Sequence, residues 1–149
     1  MKEMINIDRK EFENAREHFF KGIEVYQIEE IGWNELDNIT SMYNKLYQQI
    51  KEQVAGMFTL SEASLIVSAF NGCDYTQQLD DKFLLKAQVE DATIYQKLDG
   101  QYEVDRDKLL GKIETLTEYQ CFALIMIIIE FWCTSYDIDN DLKRLFGIC

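Results

Sequence analysis

The chain has 149 residues, no proline, and 27 acidic against 15 basic side chains, for a formal net charge of −12. A hydrophobic fraction of 47% excludes a disordered acidic tail, and the length supports a core without a metal or disulfide staple. The charge disfavours direct binding of DNA, RNA or anionic membranes, which begins with a basic footprint on the protein. Without proline, no position is forced to break a helix for want of an N–H, so the expectation is a single all-α domain over 1–149.

Taken in chain order, the first helix signal is Asp8 followed by Glu11, a capping box. Phe12, Ala15, Phe19, Ile23 and Tyr26 then recur at steps of three or four and define one face of a helix over roughly 9–27. Gly32 interrupts the pattern. Asn34, with Asp37 three positions on, is the expected cap of a second long amphipathic helix carrying Leu36, Ile39, Tyr43, Leu46, Ile50 and Val54 and ending near Gly56. The third start is the best punctuated: in "FTLSEA", residues 58–63, Thr59 caps, Glu62 completes the box, and Phe58 and Ala63 occupy the staple positions. That helix is expected to end at Asn71–Gly72.

Residues 78–95 read as a fourth helix with Leu85, Val89 and Ala92 on its stripe. At Asp99–Gly100 a two-residue hairpin turn competes with a helix end. The preferred reading continues the helix toward Leu98, leaving the choice over 94–104 open. Asp105 then starts a short helix bearing Leu109, Leu110 and Ile113.

The most apolar stretch is "CFALIMIIIEFWC", residues 121–133, introduced by a Thr117–Gln120 capping box. As a helix these residues would be about 20 Å long, whereas a bilayer's hydrocarbon core is about 30 Å thick, and no lysine or arginine occurs from 113 to 142 to anchor either flank. "MKEMINIDRKEF" at the start has no apolar run of a secretory signal. Cytoplasmic residence is the expectation. Projected as a helix, the run is apolar almost all round, with Glu130 and Thr134 on its narrowest polar face. A helix of that kind must be enclosed by others. The expected architecture is therefore a compact bundle of about five or six helices around a hydrophobic core helix near residues 118–135.

Chemical motifs are sparse. His18, the single histidine, stands inside the first amphipathic helix without an HExxH partner, and the chain has neither a GxxxxGK loop nor a GxGxxG fingerprint. Cys73, Cys121, Cys133 and Cys149 lack CxxC spacing and read as reduced thiols. Asp137, Asp139 and Asp141 reproduce the opening of a calcium loop. Leu142 replaces its glycine and Ile148 its final glutamate, so the segment reads as a solvated start of a last helix, capped by Asn140 or Asp139. No catalytic, cofactor-binding or metal-ligating residue is assigned, and no cofactor is expected.

Charge is what separates the partner classes. Two intervals, 52–81 and 113–142, contain no lysine or arginine, and within them Asp80, Asp81, Asp137, Asp139 and Asp141 are the candidate interaction residues. The leading expectation is a non-enzymatic interaction domain that docks onto a basic protein surface, an inhibitor of a nucleic-acid-binding site being its sharper form. The alternatives are an enzyme with a site of dispersed carboxylates and tyrosines, and a structural homo-oligomer.

Overall fold

The structure, a computed structural model, describes residues 7–26, 31–71, 73, 80–92 and 104–148. Among these it is all-α: α1 (Arg9–Tyr26), α2 (Trp33–Thr40), α3 (Asn44–Lys51), α4 (Leu60–Ala69), α5 (Asp81–Asp91), α6 (Arg106–Glu114), α7 (Glu118–Thr134) and α8 (Ile138–Phe146). Because α2 and α3 are halves of one bent rod, the eight segments form seven rods, more than the five or six expected. The fragment over 94–104, helix end or hairpin, lies almost wholly outside the described residues.

α7 is the enclosed helix that its sequence demands. Every side chain from Cys121 to Ile129 is buried, as is Phe131, and the helix packs against α2, α3, α4, α5 and α8. Each such aliphatic side chain contributes about 1.5–3 kcal/mol relative to an exposed one. Phe122 gathers the aromatic part of this core, with ring centroids 5.7 Å from both Phe12 and Phe19 and 6.3 Å from Tyr47. The Thr117 box forms as expected: Gln120 N–H donates to the Thr117 hydroxyl at 3.2 Å, and Thr117 N–H to the Gln120 side chain at 2.8 Å. The Thr59–Glu62 box forms in the same way, at 3.1 and 2.9 Å, with Phe58 and Ala63 both buried. Asp105 caps α6 by accepting from Lys108 N–H.

Several starts and ends differ from the sequence expectation, each for a physical reason. α2 is capped at Gly32, not at Asn34, and Glu35 reaches back to accept the Gly32 N–H at 3.0 Å. The expected continuous helix through Val54 bends at a 3-10 turn, Ser41–Tyr43, where the Thr40 hydroxyl donates to Leu36 O and the Ser41 hydroxyl to Asn38 O. Side-chain hydroxyls that bond preceding carbonyls in this way bend a helix. α5 spans Asp81–Asp91 rather than 78–95, and Ala92 is already extended. The Arg106 guanidinium donates to Glu90 O and Ala92 O, placing a cation on the α5 carboxyl end where the helix dipole favours one. α8 is capped by Asp137, not by Asn140 or Asp139.

Two glycines are geometric requirements. A methyl group on Gly22 would stand 2.7 Å from Ile39 Cγ2, so glycine lets α1 and α2 approach. Gly147 closes α8 with φ +65°, a left-handed conformation that costs a side chain energy.

Candidate functional site

The five aspartates singled out by charge sit at two helix starts and serve different ends. Asp80 is exposed at the N-cap of α5, and its side chain makes no capping bond. Asp81, beside it, points inward: only 5% exposed, it takes a two-pronged contact from Arg16 of α1, at 2.9 Å from Nε and 2.6 Å from Nη2. It is thus a fastener between α1 and α5, with no face to offer a partner.

At the α8 start, Asp137 accepts from the Asn140 backbone N–H and from its side-chain amide at 2.7 Å. Asp141 reaches back to accept the N–H groups of Tyr136 at 2.8 Å and Asp137 at 3.0 Å, the Ser135 hydroxyl at 3.3 Å and Arg144 at 3.1 Å. Those backbone donors, Tyr136 first, pull the Asp141 carboxyl down to about 2. Asp139 is half-buried in the first turn. Asp137 and Asp141 therefore have a structural duty at the start of α8. Replacing both by alanine removes the cap of α8 and the acceptor of the Tyr136 and Asp137 N–H groups.

The cations are tied down in a similar way. Besides Arg16 to Asp81, Lys112 meets the buried Glu62 at 2.6 Å, joining α6 to α4, and Lys86 meets Glu114 across α5 and α6. Arg9 of α1 grips Glu118 of α7, and Lys51 of α3 stands 3.7 Å from Glu130 of α7. In contrast, the exposed Glu11, Glu24, Asp37, Glu90, Asp91 and Asp107 make no ion pair among the described residues.

The feature that sequence reasoning missed is a cleft of about 190 Å³ where the bent α2–α3 rod meets α1 and α7. Its polar wall is one stripe of that rod, running Trp33, Asp37, Thr40, Asn44, Gln48 and Lys51 at helical spacing across the bend. Its apolar wall includes Phe19, Leu36 and Met126, and Glu130 faces Lys51. Trp33 is 59% exposed, an uncommon setting for tryptophan. The sequence did carry a signal here: Trp33 and Asp37 stand one turn apart on the outer face of a helix whose inner face is Leu36 and Ile39. The assembly of four helices around them is not visible in one-dimensional spacing.

The remaining chemical groups are held in place by packing. His18 Nε2 lies 2.9 Å from Ile39 O, and its ring meets Tyr43 edge-on at 5.4 Å. Tyr47 donates its hydroxyl to Ala15 O at 2.7 Å, and burial raises its pKa. Cys121 and Cys133 are free thiols, and burial pushes Cys121 up to about 12 and Cys133 up to about 11, so both stay protonated at neutral pH. Among the described residues there is no group of three metal-ligating side chains and no helix long and apolar enough to cross a membrane.

No family model matches the chain, and searches of curated proteins and of solved structures give no match either.

Proposed function

We propose that this chain is a non-enzymatic binding protein whose acidic exterior docks onto a basic surface of another protein. The observation that carries the reading is the division of labour among charges. Arg9, Arg16, Lys51, Lys86 and Lys112 pair with carboxylates on other helices, and Arg106 covers the end of α5, so much of the positive charge is committed to joining helices. The excess of acid, 27 against 15, is then expressed outward through carboxylates such as Glu11, Asp37, Glu90 and Asp107. An exterior of one sign steers oppositely charged partners and rejects like-charged ones.

The sharper form of the reading is an inhibitor. A basic protein face large enough to meet this exterior is commonly one that takes nucleic acid, and the bound acidic domain would occupy the phosphate-binding groups. The test is reconstitution with a purified partner obtained by affinity capture. The reading expects a saturable complex whose affinity falls steeply as salt rises, charges being screened over about 8 Å at physiological ionic strength, and whose formation is competed by nucleic acid. A complex indifferent to salt contradicts docking by charge, and one unaffected by nucleic acid removes the inhibitor form.

A further inference from the structure

Resting on the reading just given, we infer that the cleft between the α2–α3 rod and α7 is the anchor point of that docking and receives an arginine side chain of the partner. The argument begins with size. At about 190 Å³ the cleft is below the range of about 300–1,000 Å³ in which drug-sized ligands are enclosed, and the scale that fits is a single long side chain.

The chemistry of the walls selects which side chain. Phe19, Leu36 and Met126 offer an apolar path for an aliphatic stem, and the largely exposed Trp33 adds its indole to the lining. Among the described residues Asp37 makes no ion pair, and the one ion-pair partner of Glu130 is Lys51, at 3.7 Å, beyond direct hydrogen-bond reach. Two carboxylates against one ammonium leave the cleft negative. A guanidinium satisfies all three demands, since its stem packs on apolar surface, its plane stacks on tryptophan, and its fork of N–H donors takes carboxylate oxygens in pairs. An ammonium keeps the charge but lacks the plane and the fork. Arginine and tryptophan are also the residue types that concentrate binding energy at protein interfaces.

The position of the cleft strengthens the assignment. The stripe from Trp33 to Lys51 lies on the outer side of a rod whose inner side, Leu36, Ile39, Leu46, Tyr47 and Ile50, is buried against the core. Changes at Trp33 or Asp37 therefore leave the packed face untouched.

The test uses the full chain, isotopically labelled, titrated with acetyl-Gly-Gly-Arg-Gly-Gly-amide and followed by NMR. The matched control replaces arginine by citrulline, which has the same shape without the charge. The expected result is a saturable shift of the Trp33 indole N–H, weakened about five-fold or more by citrulline and by Asp37→Asn, and absent in Trp33→Ala, where the neighbouring cleft amides no longer respond. Asp91→Asn, an equal charge change on α5, should leave the affinity at the cleft unaltered. The Trp132 indole N–H, bonded to Val67 O at 2.9 Å, serves as the internal reference for an intact fold. Equal binding of the arginine and citrulline peptides, or non-saturating shifts spread alike over Trp33 and the α5 surface, would overturn the assignment. With a purified basic partner in hand, salt-sensitive binding that survives Trp33→Ala and Asp37→Asn unchanged rejects the cleft and keeps the docking reading. Binding without salt dependence rejects the docking reading itself.

Discussion

α7 and the α2–α3 rod are both helical and both touch the core, yet they relate to solvent in opposite ways. α7 is buried around most of its circumference, from Cys121 to Ile129, and its neighbours enclose it. The rod buries one stripe and exposes the other, and it bends where Thr40 and Ser41 turn their hydroxyls onto its own carbonyls. The first arrangement stabilises, while the second displays side chains. The difference is one of surroundings: α7 fixes the fold by apolar enclosure, whereas the rod leaves a polar stripe at the border of a concavity.

The largest expected effect breaks the enclosed side of this comparison. Ile128 is fully buried, so Ile128→Asp places an unpaired charge in apolar surroundings and is expected to cost about 4 kcal/mol or more, enough to unfold much of the population. Urea unfolding followed by circular dichroism reads this directly, and a loss below about 1 kcal/mol would mean that α7 is not enclosed.

Next comes Gly22→Ala, which tests the seating of the rod on α1. The added methyl group meets Ile39 at 2.7 Å, and the overpacking is expected to cost about 1–3 kcal/mol. Pairing it with Ile39→Ala, which removes both obstructing γ carbons, should show a favourable coupling in a double-mutant cycle that offsets part of the loss.

Asp141→Ala is expected to cost about 1–2 kcal/mol, because the Tyr136 and Asp137 N–H groups lose their acceptor at the α8 start. The same carboxylate sets a pH dependence. Its folded pKa, about 2, is below the unfolded value of about 3.9. The stability it contributes is therefore complete above about pH 4–5 and is lost as the pH falls toward 2. Thermal unfolding across pH 2–6 should show a shallower acid limb in Asp141→Ala than in the parent chain.

What the sequence made legible follows from how local the physics is. The Thr59–Glu62 and Thr117–Gln120 boxes and the Asp105 cap are settled within four residues, and the enclosure of α7 follows from its composition alone. What escaped depends on distant partners. Asp81 reads as one more surface acid until Arg16 is found beside it, 65 positions away in the chain. The end of α5 at Asp91 is set together with Arg106, which lies across residues that no local pattern connects to it. Asp137 and Asp141 read as a solvated cluster because spacing gives their types, not the N–H groups they accept. The cleft escaped for the same reason, since its walls come from four helices.

Smaller effects sharpen the displayed side of the comparison. Glu130→Gln removes a half-buried charge whose partner Lys51 stands 3.7 Å away, and the expected loss is about 1 kcal/mol or less, far below Ile128→Asp on the same helix. A comparable loss from the two substitutions would reverse the orientation assigned to α7.

The most direct test of the central claim, that recognition lies on the outer stripe and is separable from the fold, is one variant measured twice. Asp37→Asn alters an exposed carboxylate with no ion pair among the described residues. Its unfolding free energy should match the parent within about 0.5 kcal/mol, while its affinity for the purified basic partner at low salt falls about five-fold or more and converges with that of the parent at high salt. Unchanged affinity at every salt concentration, or a loss of affinity that tracks an equal loss of stability, would contradict it.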